Sequence, residues 1–201
     1  MTSLASTRPS DASWPVSLRP LSAAGARCIE HWFDHPEVRH WLGDRSWIHR
    51  ELRLIADRPG STFRGKTVLR SYGWIVEDPA GTEVAFIGGD VYDRWVRYLG
   101  EGPNGALLSE ADPRRAMGLG YVVDPARWRR GYGRAAIATV LRHADVADVE
   151  VFYCGIDAAN HASRRCALAA GFHLIAPEPD FEGMLYYRRE RGGHGSSVPG
   201  S

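Results

Sequence analysis

Hydrophobic and polar positions follow two different patterns along the 201-residue chain. Residues 68–77 and 83–91 are rich in β-branched and aromatic side chains, which predicts two β-strands. The four residues between them, Asp-Pro-Ala-Gly at 78–81, favour a tight reversal, so the two strands are expected to form a hairpin. Residues 131–144 instead place their apolar side chains on one stripe, the spacing of a helix that packs on one side.

The same reasoning places the remaining elements and predicts one folded domain with two tails. Strands are expected at 16–20, 116–123, 150–156, 172–175 and 184–188, and helices at 22–32, 47–56 and 160–170. Residues 92–114 carry several glycines and prolines and predict a long irregular stretch, which in compact domains is usually functional or mobile. Residues 1–13 and 191–201 are rich in Ser, Pro and Gly, so we expect disordered tails around a single domain at 14–190.

Composition narrows the class of protein. With 44% apolar and 24% charged residues, the chain has the balance of a soluble globular domain. Its net charge of +1 gives no overall field that would favour nucleic acid or an anionic membrane. The three cysteines are widely spaced, which predicts reduced thiols. No signal peptide or membrane span is recognisable, so a cytoplasmic protein is expected.

A basic glycine-rich segment lies between the predicted strand at 116–123 and the predicted helix at 131–144. Residues 127–134 are Arg-Trp-Arg-Arg-Gly-Tyr-Gly-Arg. Glycines let the backbone approach a ligand, and the free N–H groups and positive dipole at the start of a helix attract phosphate. On these residues alone, the segment is either an anion site or an ordinary surface loop with solvated arginines.

The same glycines also fit a dinucleotide-binding pattern, Gly131-x-Gly133-x-x-Ala136. That pattern requires glycines directly after the strand, whereas seven residues, 124–130, intervene here. The folded chain that remains is also too short for the paired halves of a dinucleotide-binding domain. We therefore reject this interpretation.

A second motif lies later in the chain. Asn160 and Ser163 have N-x-x-S spacing, and Gly171-Phe172 follows eight residues on. Together with the glycine loop, this motif resembles the GCN5-related N-acetyltransferase (GNAT) superfamily. The resemblance extends more weakly to residues 18–21 and 35–42, which look like the opening strand and first helices of its ribosomal-protein and antibiotic-acetylating branches.

The resemblance implies a fold and a co-substrate. The fold is α/β (α+β), with a central mixed, mostly antiparallel sheet of six to seven strands, splayed at the fourth and fifth strands and flanked by about four helices. The co-substrate is acetyl-CoA, and no metal is implied. Its pyrophosphate would contact the loop and its pantetheine arm would lie along the strand before it; the residues implied are Val122, Val123, Arg129, Arg130, Gly131, Tyr132, Gly133 and Arg134. Trp128 stands where the family's loop pattern has Gln or Arg.

The residues of the second motif have structural roles as well as implied chemical ones. Asn160 is placed to cap a helix, and the resemblance implies a contact with the cofactor; both can hold. Ser163 either satisfies the same helix end or, as the resemblance implies, lies near the thioester sulfur. Gly171 is predicted to end the helix in a left-handed conformation.

The catalytic groups are less clear. Many family members carry a Glu on the fourth strand and a Tyr on the later helix, but the corresponding positions here are Gly118 and Ala167. Asp90 is our leading candidate for the base, with positioning alone or loss of activity as alternatives. Val122 is expected to supply the backbone N–H that polarises the thioester carbonyl.

The acceptor is expected to be a cationic amine. Acidic and aromatic residues are interspersed at 90–112, which is either an acceptor mouth or a solvated loop. Trp32 and Trp41 are candidates for the opposite wall or for the core. We predict an acetyl-CoA-dependent N-acetyltransferase, monomeric or homodimeric, that acts on a primary amine of a small cationic molecule or a protein N-terminus. The alternative is a catalytically silent acetyl-CoA-binding module.

Overall fold

The computed structural model describes residues 15–192. The helices are α1 (Ala23–Ile29), α2 (Pro36–Leu42), α3 (Ser46–Asp57), α4 (Tyr132–Leu141) and α5 (His161–Ala169). The strands are β1 (Ser17–Pro20), β2 (Thr62–Phe63), β3 (Lys66–Glu77), β4 (Glu83–Tyr92), β5 (Tyr98–Gly102), β6 (Gly105–Leu108), β7 (Ala116–Val123), β8 (Val151–Asp157), β9 (His173–Leu174) and β10 (Met184–Glu190). Short 3-10 turns lie at Glu30–Asp34, Pro125–Arg127 and Ala144–Val146.

One large sheet organises the described part of the chain. Its strand order is β1-β3-β4-β7-β8-β10-β9, with β2 paired to β3. The pairs in it are antiparallel except β7 with β8, the fourth and fifth strands of that order. These two are parallel over three residue pairs only, ending at Gly118 and Tyr153, and then separate. The mixed sheet that opens between its fourth and fifth strands confirms the expected fold class.

Helices cover both faces of the sheet, because successive side chains of a strand point to opposite sides. Ile75, Phe86 and Val122 pack with residues of α1, α2 and α3 in one apolar cluster. Ile87 and Leu119 belong to a larger cluster on the other face, which includes residues of α4 and α5. The gap between β7 and β8 therefore lies between two helical layers.

The predicted hairpin is present as β3 and β4. Its turn is closed by the Asp78 N–H, which donates to the Thr82 carbonyl at 3.0 Å, and by Gly81 at a φ of +76°. Ser22 caps α1 as predicted, accepting a hydrogen bond from the Gly25 N–H at 3.1 Å. The helix is shorter than expected, however, since the chain changes to a 3-10 turn after Ile29.

The segment 92–114 was expected to be irregular, and this was wrong in part. Strands β5 and β6 form a separate two-stranded sheet within it. Trp95 and Asp112 pair through their main chains on either side, each N–H donating to the other's carbonyl at 2.8 Å. The segment is therefore a hairpin whose base is closed at Trp95.

The ends of the chain were assigned to tails. Residues 1–13 and 193–201 lie outside the described residues, so the predicted disorder there is not addressed. Arg191, which the prediction included in the C-terminal tail, donates hydrogen bonds to the carbonyls of Leu141, Val146 and Val149. Within 15–192, no helix has the length and apolar character needed to cross a membrane.

Candidate active site

The gap between β7 and β8 exposes main-chain groups of β7. The Asp124 N–H donates to the Val84 carbonyl of β4 at 3.0 Å. Since residues that exchange hydrogen bonds alternate with those that do not in an antiparallel pair, Val122 and Gly120 also turn their main-chain groups toward β4. Tyr121 and Val123 turn theirs toward β8, where strand pairing has already stopped.

This orientation corrects one assignment. Val122 was expected to offer its main chain to the pantetheine arm and its N–H to the thioester carbonyl. Its main-chain groups face Phe86 across the β4–β7 pair, and its side chain is buried with Phe86 and Trp128. Tyr121 and Val123 have the orientation that Val122 lacks, because a shift of one residue along a strand reverses the direction of its main-chain groups.

The glycine loop lies just beyond β7 and has a strained backbone. Arg129 has a φ of +63° and Gly131 a φ of +87°, both in the left-handed region. Gly131 is the N-cap of α4 and has no side chain with which to cap the first turn. The first helical bond recorded there runs from the Ala135 N–H to the Gly131 carbonyl at 3.0 Å. The N–H groups of Gly133 and Arg134 precede this bond and therefore point out of the helix end, an arrangement that suits anions.

The side chains of the loop are divided between solvent and core. Arg129 and Arg130 are exposed and Arg134 is half-buried, so their charges surround the helix end. The Tyr132 ring is buried in the larger apolar cluster. Gly133 is also buried, and a Cβ there would lie 2.8 Å from the Cys166 Sγ of α5. Gly133 thus has a packing role that the sequence did not reveal, because it lets α4 approach α5.

Trp128 explains how the loop tolerates the absence of Gln or Arg. Its indole N–H donates to the Val123 carbonyl at 2.9 Å. Its ring lies edge-on to His35, with centroids 4.6 Å apart. Trp128 therefore joins the loop to the end of β7 and to the residue that precedes α2.

The start of α5 faces the same gap. The Asn160 Oδ1 accepts a hydrogen bond from the Ser163 N–H at 3.0 Å, so the predicted cap is present. Gly171 has a φ of +82° and ends the helix as predicted. The Ser163 Oγ lies 2.9 Å from the Tyr121 hydroxyl, and the Ser163 carbonyl accepts from that hydroxyl at 3.1 Å.

Tyr121 is the residue that the sequence reasoning missed. Its phenol reaches from β7 to α5, and burial raises its pKa well above the ordinary value, so the group stays protonated. Cys166 lies beside it, and burial raises the pKa of that thiol too. The available signal was its position one residue before Val122, since neighbouring residues of a strand turn their main-chain groups in opposite directions.

A cleft of about 230 Å³ opens on the α3 side of the sheet at the point where β7 and β8 separate. Its floor consists of glycines of β4, β7 and β8, and its sides are aromatic and charged. The lining includes Trp47, Glu51, Arg58, Phe86, Gly88, Gly89, Asp90, Tyr92, Trp95, Gly118, Leu119, Gly120, Tyr153 and Gly155. Trp47 has the place considered for Trp32 and Trp41, since Trp32 is buried in the core and Trp41 does not line the cleft.

Asp90 is directly opposite Gly118 in the β4–β7 pair. Directly opposite residues share a face of a sheet, so its carboxylate lies beside the position where many family members have a Glu. Arg58 donates to Asp90 at 3.2 Å and to Glu51 at 3.4 Å, while the hydroxyls of Ser71 and Tyr92 donate to Asp90 at 2.7 and 3.3 Å. Burial opposes the charge on Arg58, but the two carboxylates outweigh burial and raise its pKa.

Similarities to a protein family, to one curated relative and to solved structures agree with this geometry. Residues 16–173 match the acetyltransferase (GNAT) domain family. The uncharacterized N-acetyltransferase YfmK of Bacillus subtilis is 32% identical over 88 residues, which cover 44% of this chain and 59% of that relative.

Solved structures show the same fold. The structure of AAC(6')-Ib in complex with paromomycin and acetyl-CoA is 18% identical, with a TM-score of 0.62 over 88% of this chain and 93% of that one. The GNAT domain of S. lividans PAT is 15% identical, with a TM-score of 0.54 over 86% of this chain and 89% of that one. The family match spans the sheet from β1 to β8, the gap between β7 and β8, the glycine loop and α5, and it shows that the chain belongs to the GNAT acetyltransferase family.

Proposed function

We propose that the protein transfers the acetyl group of acetyl-CoA to a primary amine of a small cationic molecule or of a protein N-terminus. The observation that carries this proposal is the gap between β7 and β8, which has the uncapped start of α4 beside it and an acidic, aromatic cleft at its base. A thioester and an amine that enter from these two sides would meet where the strands separate.

In this proposal the helix end of α4 binds the pyrophosphate. The N–H groups around Gly131 and the charges of Arg129, Arg130 and Arg134 support that role. The pantetheine arm would pair with the Tyr121 carbonyl and with the Val123 N–H, in the manner of an added strand. Asn160 remains a candidate contact with the cofactor, because the helix cap uses its Oδ1 atom and not its amide nitrogen.

The acceptor must lose a proton before it can attack, because an aliphatic ammonium has a pKa near 10, as lysine has. We assign Asp90 as the group that accepts this proton. It lines the cleft beside Gly118, and Arg58, Ser71 and Tyr92 fix its orientation. Holding the two reactants together would supply a further part of the rate enhancement.

The thioester end would be stabilised from β7 and α5. The Tyr121 N–H faces the gap and is placed to polarise the carbonyl as the nitrogen–carbon bond forms. The carbon–sulfur bond then breaks, and the thiolate takes a proton. Ser163 is our candidate for a hydroxyl near the sulfur, and its contact with the protonated Tyr121 phenol supports a proton source there.

The absence of a Glu at Gly118 and of a Tyr at Ala167 favours the second candidate, a silent module that binds acetyl-CoA. Calorimetry with acetyl-CoA and an assay of free thiol with a panel of polyamines, aminoglycosides and N-terminal peptides separate the two. Release of thiol that depends on an amine supports the enzyme. Binding without turnover supports the silent module, and no binding contradicts both.

A further inference from the structure

The floor of the cleft is bare main chain. Gly88 and Gly120 are register partners, and so are Gly89 and Leu119, whose main chain also lines the cleft. A Cβ at Gly120 would meet no atom within 4 Å, so the space above this residue is open. A Cβ at Gly89 would lie 1.7 Å from the Gly118 carbonyl oxygen, so β4 tolerates no side chain at this position. The floor is therefore flat where the strands separate.

Aromatic side chains stand at both ends of this floor. Phe86 precedes the glycines of β4. The ring of Trp47 in α3 lies edge-on to the Phe86 ring, with the two ring centroids 5.8 Å apart. Tyr92 follows the glycines, and its ring centroid lies 5.9 Å from that of Trp95. The Trp95 ring also stacks on the Tyr153 ring, with nearly parallel planes and centroids 4.0 Å apart. Five aromatic rings thus border a space with a flat polar floor.

The charges of the cleft are mostly paired among themselves. Among the residues that line the cleft, Glu51 and Asp90 carry two negative charges and Arg58 bridges them with one positive charge, which gives the lining a net charge of −1. The Lys66 ammonium lies behind the Trp95 ring, outside this lining, and donates to the Val96 carbonyl. Asp90 also accepts from the hydroxyls of Ser71 and Tyr92. This balance matches one ammonium group, and it leaves few polar groups for a second ammonium or for a series of hydroxyls.

From these features we infer that the acceptor is a primary monoamine that carries a flat aromatic group on a short chain. This inference rests on the proposed function. The ammonium lies near Asp90 at the strand separation, and the aromatic group lies on the glycine floor between the aromatic side chains. The volume of about 230 Å³ is below the roughly 300–1,000 Å³ of pockets for drug-sized ligands, so it suits one ring and a short arm.

The test compares amines in the thiol-release assay with saturating acetyl-CoA. 2-Phenylethylamine is compared with 2-cyclohexylethylamine, which has the same chain but a puckered ring, with butylamine, which has no ring, and with kanamycin, a polycationic sugar. We expect kcat/KM for phenylethylamine to exceed that for butylamine and for kanamycin at least tenfold, with the cyclohexyl compound between. Equal or greater kcat/KM for kanamycin or butylamine overturns the inference while the proposed function stands. No turnover of these four amines, with acetyl-CoA bound, also overturns the inference, whereas turnover of an N-terminal peptide or a polyamine in the same assay still supports the proposed function.

Two substitutions locate the preference in the cleft. Trp47→Leu removes one aromatic side chain and should raise KM for phenylethylamine at least fivefold while KM for butylamine changes less than twofold. Trp41→Leu, a half-buried tryptophan outside the cleft, is the matched control and should change neither. Gly120→Ala adds a methyl group to open space without a clash, so it should fold even if Trp47→Leu does not. It should also change the ratio of KM for phenylethylamine to KM for butylamine. An unchanged ratio in Gly120→Ala contradicts the inference.

Discussion

The two sides of the gap between β7 and β8 are built in different ways. The cofactor side consists of main-chain N–H groups, a backbone in left-handed conformations at Arg129 and Gly131, and arginines that reach solvent. The acceptor side consists of half-buried side chains that are paired with one another around Arg58. Under the proposed function, the cofactor side would bind its ligand mainly through main-chain groups, whereas the acceptor side would bind its ligand through side chains.

The largest expected effect is on the acceptor side. Asp90→Asn keeps the size of the side chain but removes its basicity, so we expect kcat to fall about 100-fold, the usual size of a general-base effect. The affinity for acetyl-CoA should stay unchanged. The measurement is the pH dependence of kcat and kcat/KM.

Glu51→Gln is the matched control for Asp90→Asn. It removes the other carboxylate bound to Arg58 without touching the proposed base. If both variants lose the same activity, the net charge of the cleft matters and Asp90 is not the base. Unchanged turnover in Asp90→Asn would exclude this role outright.

The next effect lies on the cofactor side. Gly131→Val places a β-branched residue at a φ of +87° and at the helix end that faces the phosphate, so acetyl-CoA affinity should fall at least about tenfold. Gly60→Val is the matched control, because Gly60 also has a φ of +87° but lies after α3. Each should lose about 1–3 kcal/mol of stability. Calorimetry gives the affinity for acetyl-CoA, and thermal unfolding gives the stability. Equal acetyl-CoA affinity in the two variants would contradict the proposed role of the loop.

A smaller effect tests whether Gly133 serves packing. Gly133→Ala would bring a methyl group to 2.8 Å from the Cys166 Sγ, and overpacking of this kind typically costs about 1–3 kcal/mol. Cys166→Ala removes the sulfur, so the double variant should recover most of that stability. The free energies of unfolding from urea titrations give the coupling. Additive losses would show that Cys166 is not the obstacle.

The smallest effect concerns Lys66, which is buried against the acceptor side. Its Nζ donates to the Val96 carbonyl at 3.0 Å and lies 4.4 Å from the Trp95 ring centroid. Burial and, secondarily, the charge of Arg64 lower its pKa from 10.5 to about 8. Between pH 8 and 10.5 the unfolded chain binds more protons at this site than the folded protein, so stability should rise with pH in that window.

Lys66→Met removes that titration while it keeps a side chain of similar length. The stability of the wild type relative to Lys66→Met should therefore increase by on the order of 1 kcal/mol from pH 8 to 10.5 and stay constant below pH 8. Unfolding by urea at several pH values gives this difference. Parallel stability curves for the two proteins would contradict the lowered pKa.

The sequence predicted the elements well wherever a local pattern decides them. The strand at 116–123 has the predicted bounds, and Ser22, Asn160 and Gly171 have the predicted positions at helix ends. The error at Val122 arose because a motif gives the position of a strand but not which residues turn their main chain toward the neighbouring strand.

The acceptor cleft could not be predicted in the same way. Its lining comes from residues far apart in sequence, among them Glu51, Asp90, Gly118 and Tyr153. Their proximity depends on the register of β4 with β7 and on the point where β7 leaves β8. Asp90 was a candidate base from its residue type and its place at the end of a predicted strand, but its pairing with Arg58 has no local signal. Trp47 was missed because its helical spacing fits a core residue equally well.

The hydrogen bond from Trp128 to the Val123 carbonyl has a consequence for the solution behaviour of the protein. A strand that leaves its neighbour presents an open edge, and open edges pair with strands of other chains and promote aggregation. Trp128 occupies the far end of this edge, so only a short stretch around Tyr121 remains to accept a partner. The opening therefore suits a narrow extended molecule such as a pantetheine arm and disfavours a β-strand from another protein.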